Sequence, residues 1–243
     1  MAVDEALMES VRAGAAPALR MYEWSPSCLS LGRNQPASAY YDREHLRAVG
    51  VDVVRRPTGG RAVLHDAELT YSVVARDGEL GPPRRAYLEV NEALIAGLSL
   101  FGVDAAIHRR GPARSPIPST APCFAEPVAG EVLAKGRKLI GSAQLRAGGV
   151  LLQHGSIPMR PSQLSGLVGG VAGEDSSQRD SPAYLDLVVG RPTSIDDLVQ
   201  SLTSAWAARV GPLETVLDLN DREFERVSEL EAKYRDELWT WRR

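Results

Sequence analysis

Residues 123–158, CFAEPVAGEVLAKGRKLIGSAQLRAGGVLLQHGSIP, constrain this chain more than any other stretch. Residues 131–134 and 138–146 read as paired strands with Lys135-Gly136-Arg137 at or near the turn, and residues 150–154 return as another strand. A cysteine, Cys123, stands in a loop ahead of these strands, and a lysine, Lys138, stands where the second begins. A thiol and an amine near one another are the parts needed to move an acyl group through a thioester.

The remaining pattern mixes helices with strands. Ala2–Arg12 reads as a helix, with Val3, Leu7 and Val11 four apart beside Ala6, while Asp4, Glu5 and Glu9 face elsewhere and suit the dipole of the first turn. Ala18–Tyr22 and Cys28–Leu31 read as strands around the turn Trp24-Ser25-Pro26, residues 42–49 as a helix ended by Gly50, and residues 51–55 as a strand. Residues 68–75 read as a buried strand. Residues 84–101 form an amphipathic pattern with Tyr87, Val90, Leu94 and Leu98 on one side and Gly102 as the stop, and residues 103–108 follow as a strand. GPARSPIPSTAP reads as a loop that delivers the chain to Cys123, and the Gly- and Ser-rich run after Pro161 as a long connection. Thr193 or Ser194 caps a helix whose apolar face carries Ile195, Leu198, Leu202 and Trp206. A last helix over residues 221–238 places Phe224, Val227, Leu230 and Tyr234 at helical spacing. With no repeat and no dividing linker, the pattern predicts an α/β or α+β fold, a mixed β-sheet packed with helices.

Composition removes several function classes. A chain of 243 residues has room for one large domain or two small ones, and its 44% hydrophobic and 24% charged residues are ordinary for a globular protein. A net charge of -3 argues against general nucleic-acid binding. No apolar run is long enough to span a bilayer, and the N-terminus, MAVDEALMES, lacks the basic and apolar regions of a secretory signal, so the expected location is the cytoplasm. Two cysteines, Cys28 and Cys123, make neither a disulfide framework nor a metal site. Cys28 lies in an apolar strand pattern and reads as structural.

RRPTGGRAVLHDAELTYSVVA is the second informative stretch. Gly59 and Gly60 permit backbone conformations closed to other residues and leave room for a ligand to approach main-chain amides. Arg55, Arg56 and Arg61 flank the pair and favour a phosphate or carboxylate. The ordinary reading of two glycines between strands is a hairpin turn; the dense basic flanks and His65 speak for a binding loop.

RRPTGGRAVLHDAELTYSV, GRKLIGSAQLR and LLQHGSIP, in this order, resemble the lipoate-protein ligase and octanoyltransferase superfamily, which shares its catalytic fold with biotin protein ligases. The likeness runs from MAVDEALM to KYRDELWTWRR. Within the superfamily the chain looks most like the cysteine-dependent octanoyltransferases of Gram-positive bacteria, because PCFAEP places Cys123 ahead of Lys138 and no cysteine follows. Classical octanoyltransferases place the cysteine after the lysine, and ATP-using ligases do not depend on one here. The chain also closes soon after its last helix, where many ligases carry an accessory domain, so residues 1–243 are expected to form a single catalytic domain. One departure is that relatives usually begin with a strand ahead of the MAVDEALM segment, on whose methionine Met1 falls: either the strand is absent, which would leave a sheet edge unpaired, or the start of the chain was assigned too late.

The resemblance implies an enzyme that takes octanoate from acyl carrier protein and passes it to a lysine of a lipoyl domain or of the glycine-cleavage carrier protein, without metal, cofactor, nucleic acid or membrane and by default as a monomer. It assigns Cys123 as nucleophile and Lys138 as the cation that favours its thiolate, stabilises the oxyanion or accepts the acceptor lysine's proton. It assigns Arg56, Thr58, Gly59, Gly60 and His65 to the acyl- or acyl-adenylate-binding loop; in a transferase without nucleotide the arginines then serve structure or carrier-protein docking more than phosphate binding, and His65 is a hydrogen-bonding strut or takes part in catalysis. Gly141, Ser142 and Ala143 are small, as an acyl tunnel requires, and Gln144 and His154 either orient the loop or bind the acyl carbonyl, or are satisfied polar residues at strand ends. The competing readings are an ATP-dependent lipoate-protein ligase, an amidotransferase working between lipoyl domains, and a non-catalytic subunit that recognises lipoyl domains.

Overall fold

A computed structural model describes residues 1–37, 40–109, 128–167, 182–216 and 218–242. Cys123, the GPARSPIPSTAP segment and most of the Gly- and Ser-rich run lie outside the described residues. Two long strands form the centre. β5 (Glu68–Arg76) and β9 (Val150–Pro158) pair antiparallel over their full lengths, from Glu68 opposite Pro158 to Arg76 opposite Val150. β9 runs four residues past the expected strand because residues 155–158 continue that ladder. On one side β5 pairs with β1 (Ala18–Tyr22). On the other side β9 pairs with β8 (Arg137–Ala147), then come β7 (Val132–Ala134) and β6 (Ala105–Ile107), giving a six-stranded sheet in the order β1-β5-β9-β8-β7-β6. Each neighbouring pair in it is antiparallel. The β7–β8 turn is tight: Lys135 and Gly136 take φ of 47° and 76°, the left-handed pair that a two-residue hairpin requires.

Successive side chains on a strand point to opposite faces, and β5 uses both. Leu69, Tyr71 and Val73 join the main core with Val90, Leu94 and Leu98 of α3 (Pro83–Leu100) and Leu198, Leu202 and Trp206 of α5 (Ile195–Val210). Val74 turns the other way, to Met8 and Val11 of α1 (Ala2–Arg12). Ser194 caps α5 as expected, accepting the Asp197 amide hydrogen. A short helix, α4 (Leu185–Val189), was not apparent in the sequence.

The second sheet is mixed. β2 (Cys28–Leu31) pairs parallel with β3 (Asp52–Arg55) and antiparallel with β4 (Val63–His65), in the order β3-β2-β4. The helix expected between β2 and β3 is α2 (Arg43–Ala48), capped by Asp42. β3 and β4 therefore flank β2 and do not pair with each other. Gly59 and Gly60 are not a hairpin turn; they belong to a loop that passes over the end of β2. Cys28 is buried, and burial pushes its thiol up to about 12, consistent with a structural role.

Two helix readings need correction. On α1 the buried residues are Ala2, Asp4, Ala6, Met8 and Val11, whereas Val3 and Leu7 are half-buried. The helix is wedged between the large sheet and α6 (Asp221–Arg235), so it buries two faces, and Asp4 lies inside. Glu5 and Glu9 face α6, where Glu5 meets Lys233 at 2.7 Å and Glu9 meets Arg226 at 2.7 Å. The expected final helix breaks at Asp236, whose backbone is extended and whose carboxylate caps α7 (Glu237–Thr240) through the Leu238 amide. Phe224 is 65% exposed; Leu230 and Tyr234 are the residues that α6 buries. No described helix is long and apolar enough to cross a membrane.

α3 and α5 approach each other backbone to backbone at Gly97, where an added Cβ would lie 2.7 Å from the Leu202 Cα. Gly97→Ala is expected to destabilise the protein by about 1–3 kcal/mol through overpacking, read as a lower urea midpoint at unchanged slope. An unchanged midpoint would show that this crossing is not tight.

Candidate active site

The face of the large sheet turned away from α3 carries a row of short side chains. Thr70, Ser156 and Gly141 stand opposite one another across β5, β9 and β8, and Ser72, His154 and Ala143 form the next row. With so little side-chain volume, the three strands leave a cleft of about 440 Å³, counted to its open mouth. The second sheet closes it from above with Ser30, Arg56, Gly60, Val63 and His65. Gly155, between His154 and Ser156 on β9, faces the other side of the sheet, where a Cβ would sit 2.5 Å from the Gly141 carbonyl oxygen and 2.7 Å from the Tyr71 ring.

Two histidines join the sheets, each with both ring nitrogens engaged. His154 meets Thr58 Oγ1 at 2.7 Å through Nε2 and Asp4 Oδ2 at 3.2 Å through Nδ1. Asp4 receives the Arg20 guanidinium at 2.6 Å on its other oxygen. Burial alone would raise the Asp4 carboxyl, but the His154 hydrogen bond and the Arg20 charge outweigh it and hold the group well below the usual carboxylate range. Burial lowers the His154 imidazole, against the pull of Asp4. A neutral ring then donates from Nδ1 to Asp4 and accepts the Thr58 hydroxyl at Nε2. His65 is held alike. Its Nε2 lies 2.7 Å from Ser30 Oγ, its Nδ1 2.5 Å from Glu68 Oε1, and its ring stacks on Trp24 with centroids 4.5 Å apart. Glu68 also accepts the hydroxyls of Thr70, at 2.6 Å, and Ser156.

The Gly59-Gly60 loop owes its shape to arginine. Arg56 donates to the carbonyls of Ser30 at 2.9 Å, Gly59 at 2.8 Å and Arg61 at 2.6 Å. Arg55, fully buried, donates to the carbonyls of Gly32, Gln35, Thr240 and Arg242 and so ties the C-terminal segment beneath the loop. Both guanidiniums thus order backbone, the structural role that the resemblance implies for a transferase without nucleotide, rather than the anion binding that the basic flanks alone suggest. Gly60 adopts φ of 98°, and Gly32 lets it settle, since a Cβ on Gly32 would lie 1.9 Å from the Gly60 carbonyl oxygen. Gly59 is exposed, and a Cβ added there would meet nothing within 4 Å.

Arg56, Gly60, His65, Gly141, Ser142, Ala143 and His154 thus line one cleft. Thr58 stands behind His154. Gln144 lies farther along β8, donating to Gln153 at 3.1 Å. Lys138 is three residues ahead of Gly141, about 10 Å along the strand. It is 3% exposed and 2.6 Å from Glu131 Oε1, not a solvated turn lysine. Cys123 lies outside the described residues. The sequence reading missed Asp4, Arg20, Ser30, Glu68 and Glu131. Asp4 left one signal: it precedes Met8 and Val11 at helical spacing, on the stripe that faces the sheet.

Both members of the His154–Asp4 pair have lowered values, so the unfolded chain binds more protons than the native one when acid is added. The stability they contribute is present above pH 6.5 and is lost first as pH falls below that value, through His154, and again below 3.8, through Asp4. The melting temperature is expected to fall between pH 7 and 5, and His154→Gln to flatten that slope. A wild-type melting temperature that is level or rises on acidification contradicts this.

Comparisons with known proteins identify the family. The family model for the lipoyl protein ligase A/B catalytic domain matches residues 1–208. An octanoyltransferase LipM of Kyrpidia tusciae is 39% identical over 100% of this chain and 94% of its own length. The corresponding protein of Moorella thermoacetica is 40% identical over 100% of this chain and 93% of its own. Among solved structures, a lipoate-protein ligase A bound with ATP superposes with a TM-score of 0.80 at 25% identity, covering 99% of this chain and 92% of that one. The chain therefore belongs to the lipoyl protein ligase A/B catalytic-domain family.

Proposed function

We propose that this chain is an octanoyltransferase of lipoate biosynthesis: it moves an octanoyl group from acyl carrier protein to a lysine of a lipoyl domain or of the glycine-cleavage carrier protein, through a thioester on Cys123. The observation that carries this reading is the full-length likeness, at 39% and 40% identity, to relatives named octanoyltransferases. The reaction needs no metal or nucleotide. The chain works in the cytoplasm, as a monomer and as one catalytic domain.

The chemistry follows from the parts. The Cys123 thiolate attacks the thioester carbonyl, a tetrahedral intermediate forms, and the carrier leaves as a thiol with a proton. The new thioester keeps the acyl group reactive. The acceptor amine then attacks it, loses a proton, and releases Cys123 as the amide forms. The Lys138 ammonium supplies positive charge for the thiolate and the oxyanion. The cleft, floored by Gly141, Ala143 and Gly155, holds the acyl chain. The exposed Gly59 position brings the acyl carbonyl near main-chain amides, and His154 and His65 hold the cleft's two sheets in place.

With octanoyl-acyl carrier protein and a lipoyl domain, and ATP omitted, the purified protein is expected to form octanoyl-lysine at a rate that ATP does not change. Modification only from free octanoate or lipoate with ATP would instead establish a ligase, and transfer only from an octanoylated carrier domain an amidotransferase. Gly59→Ala separates binding from folding. It is expected to leave stability within about 0.5 kcal/mol and to lower kcat/KM for the acyl donor at least about 10-fold. Full activity in that variant places the acyl group elsewhere.

A further inference from the structure

Lys138, the second residue of β8, is buried, and a carboxylate meets it there. Its Nζ lies 2.6 Å from Glu131 Oε1, and both side chains are buried. A buried ammonium is tolerated when a well-placed carboxylate faces it. The placement follows from strand register. Leu133 stands opposite Lys138, so Glu131, two residues earlier, lies diagonally across from it, and the pairing shifts register between Val132 and Leu133.

Glu131 is itself fixed from several directions. Its second oxygen accepts the Val128 amide hydrogen at 2.9 Å, and its carbonyl accepts the His108 amide hydrogen at 2.7 Å. The preceding carbonyl, Gly130, accepts Asn91 Nδ2 at 2.8 Å. Asn91 Oδ1 accepts Gln153 Nε2 at 3.1 Å; the same nitrogen donates to Tyr71 Oη at 3.3 Å, and Tyr71 Oη meets Ser142 Oγ at 2.7 Å. A continuous set of hydrogen bonds, buried up to Tyr71, thus runs from the Glu131 segment to Ser142 in the cleft wall. Val128 comes five positions after Cys123 in the sequence.

We propose that Glu131 is a positioning residue for the transfer reaction: one carboxylate oxygen holds the Lys138 ammonium in its catalytic orientation while the other fixes the Val128 turn. This rests on the assignment of Lys138 to catalysis. No bond to Glu131 forms or breaks in the reaction; it acts through Lys138.

The test is a double-mutant cycle. Glu131→Gln, which keeps size and loses charge, is expected to lower kcat for transfer from octanoyl-acyl carrier protein to a lipoyl domain about 100-fold, with either KM changed less than about 3-fold. Glu131→Asp restores activity to within about 10-fold of wild type, and in a Lys138→Met background Glu131→Gln costs less than about 2-fold more. Should Glu131→Gln fail to fold, the pair Glu131→Met with Lys138→Met removes both charges and is expected to fold with the activity of Lys138→Met alone. The second readout is acetylation of Lys138 by an N-hydroxysuccinimide ester, followed by peptide mass. It is expected to be slow in wild type and at least about 10-fold faster in Glu131→Gln, because the hold on the amine is lost. Activity of Glu131→Gln within about 3-fold of wild type, or an undiminished loss on top of Lys138→Met, overturns the proposal. If wild-type protein transfers no octanoyl group at all, the functional reading has failed, and labelling decides the matter: equal labelling of Lys138 in both proteins overturns the hold itself.

Discussion

Asp4 has no exposed surface, yet it remains ionised, and the arrangement around the cleft depends on it. A buried carboxylate is costly unless its oxygens find partners. Asp4 finds Arg20 on β1 and His154 on β9, and His154 passes the constraint to Thr58 in the glycine loop. One charge on the first helix thereby fixes an edge strand, a central strand and the loop above the cleft. The neutral ring serves because it donates on one side and accepts on the other.

Glu68 does the same work at the other end. It accepts from His65, Thr70 and Ser156, and His65 reaches Ser30 on the second sheet. The two sheets are thus joined across the cleft by hydrogen bonds that leave the small residues between them uncovered. That answers how an apolar slot stays open inside a packed protein. Most of its polar wall side chains pair with one another and so do not collapse inward, while among the described residues the buried hydroxyls of Tyr22 and Ser72 have no partner. Arg55 and Arg56 extend the principle to the backbone, holding carbonyls that the irregular loop would otherwise leave unpaired.

Local pattern revealed most of the elements. α1, β1 and β2 start and stop where their residues predict, and the Lys135-Gly136 turn falls where its sequence places it. The pairing of β3 and β4 with β2 was not legible, because strand neighbours depend on the whole sheet and not on the turn between two segments. The site was half legible. Glycines, small residues and histidines announce themselves, since few other roles need them at such density. Asp4, Glu68 and Glu131 did not, because an acid in a helix or strand reads as solvated until its buried partner is known. Lys138 shows the same blindness from the other side: its motif drew attention, but only tertiary pairing reveals that it is buried against Glu131.

The cleft, its buried charges and the family likeness meet in one claim, that the cleft serves acyl transfer through an enzyme-bound thioester on Cys123. The most direct measurement is intact mass spectrometry of the purified protein after mixing with octanoyl-acyl carrier protein in the absence of ATP. The account predicts a single octanoyl adduct that hydroxylamine removes and that Cys123→Ser does not form. No adduct, or one that resists hydroxylamine or persists in Cys123→Ser, would contradict it.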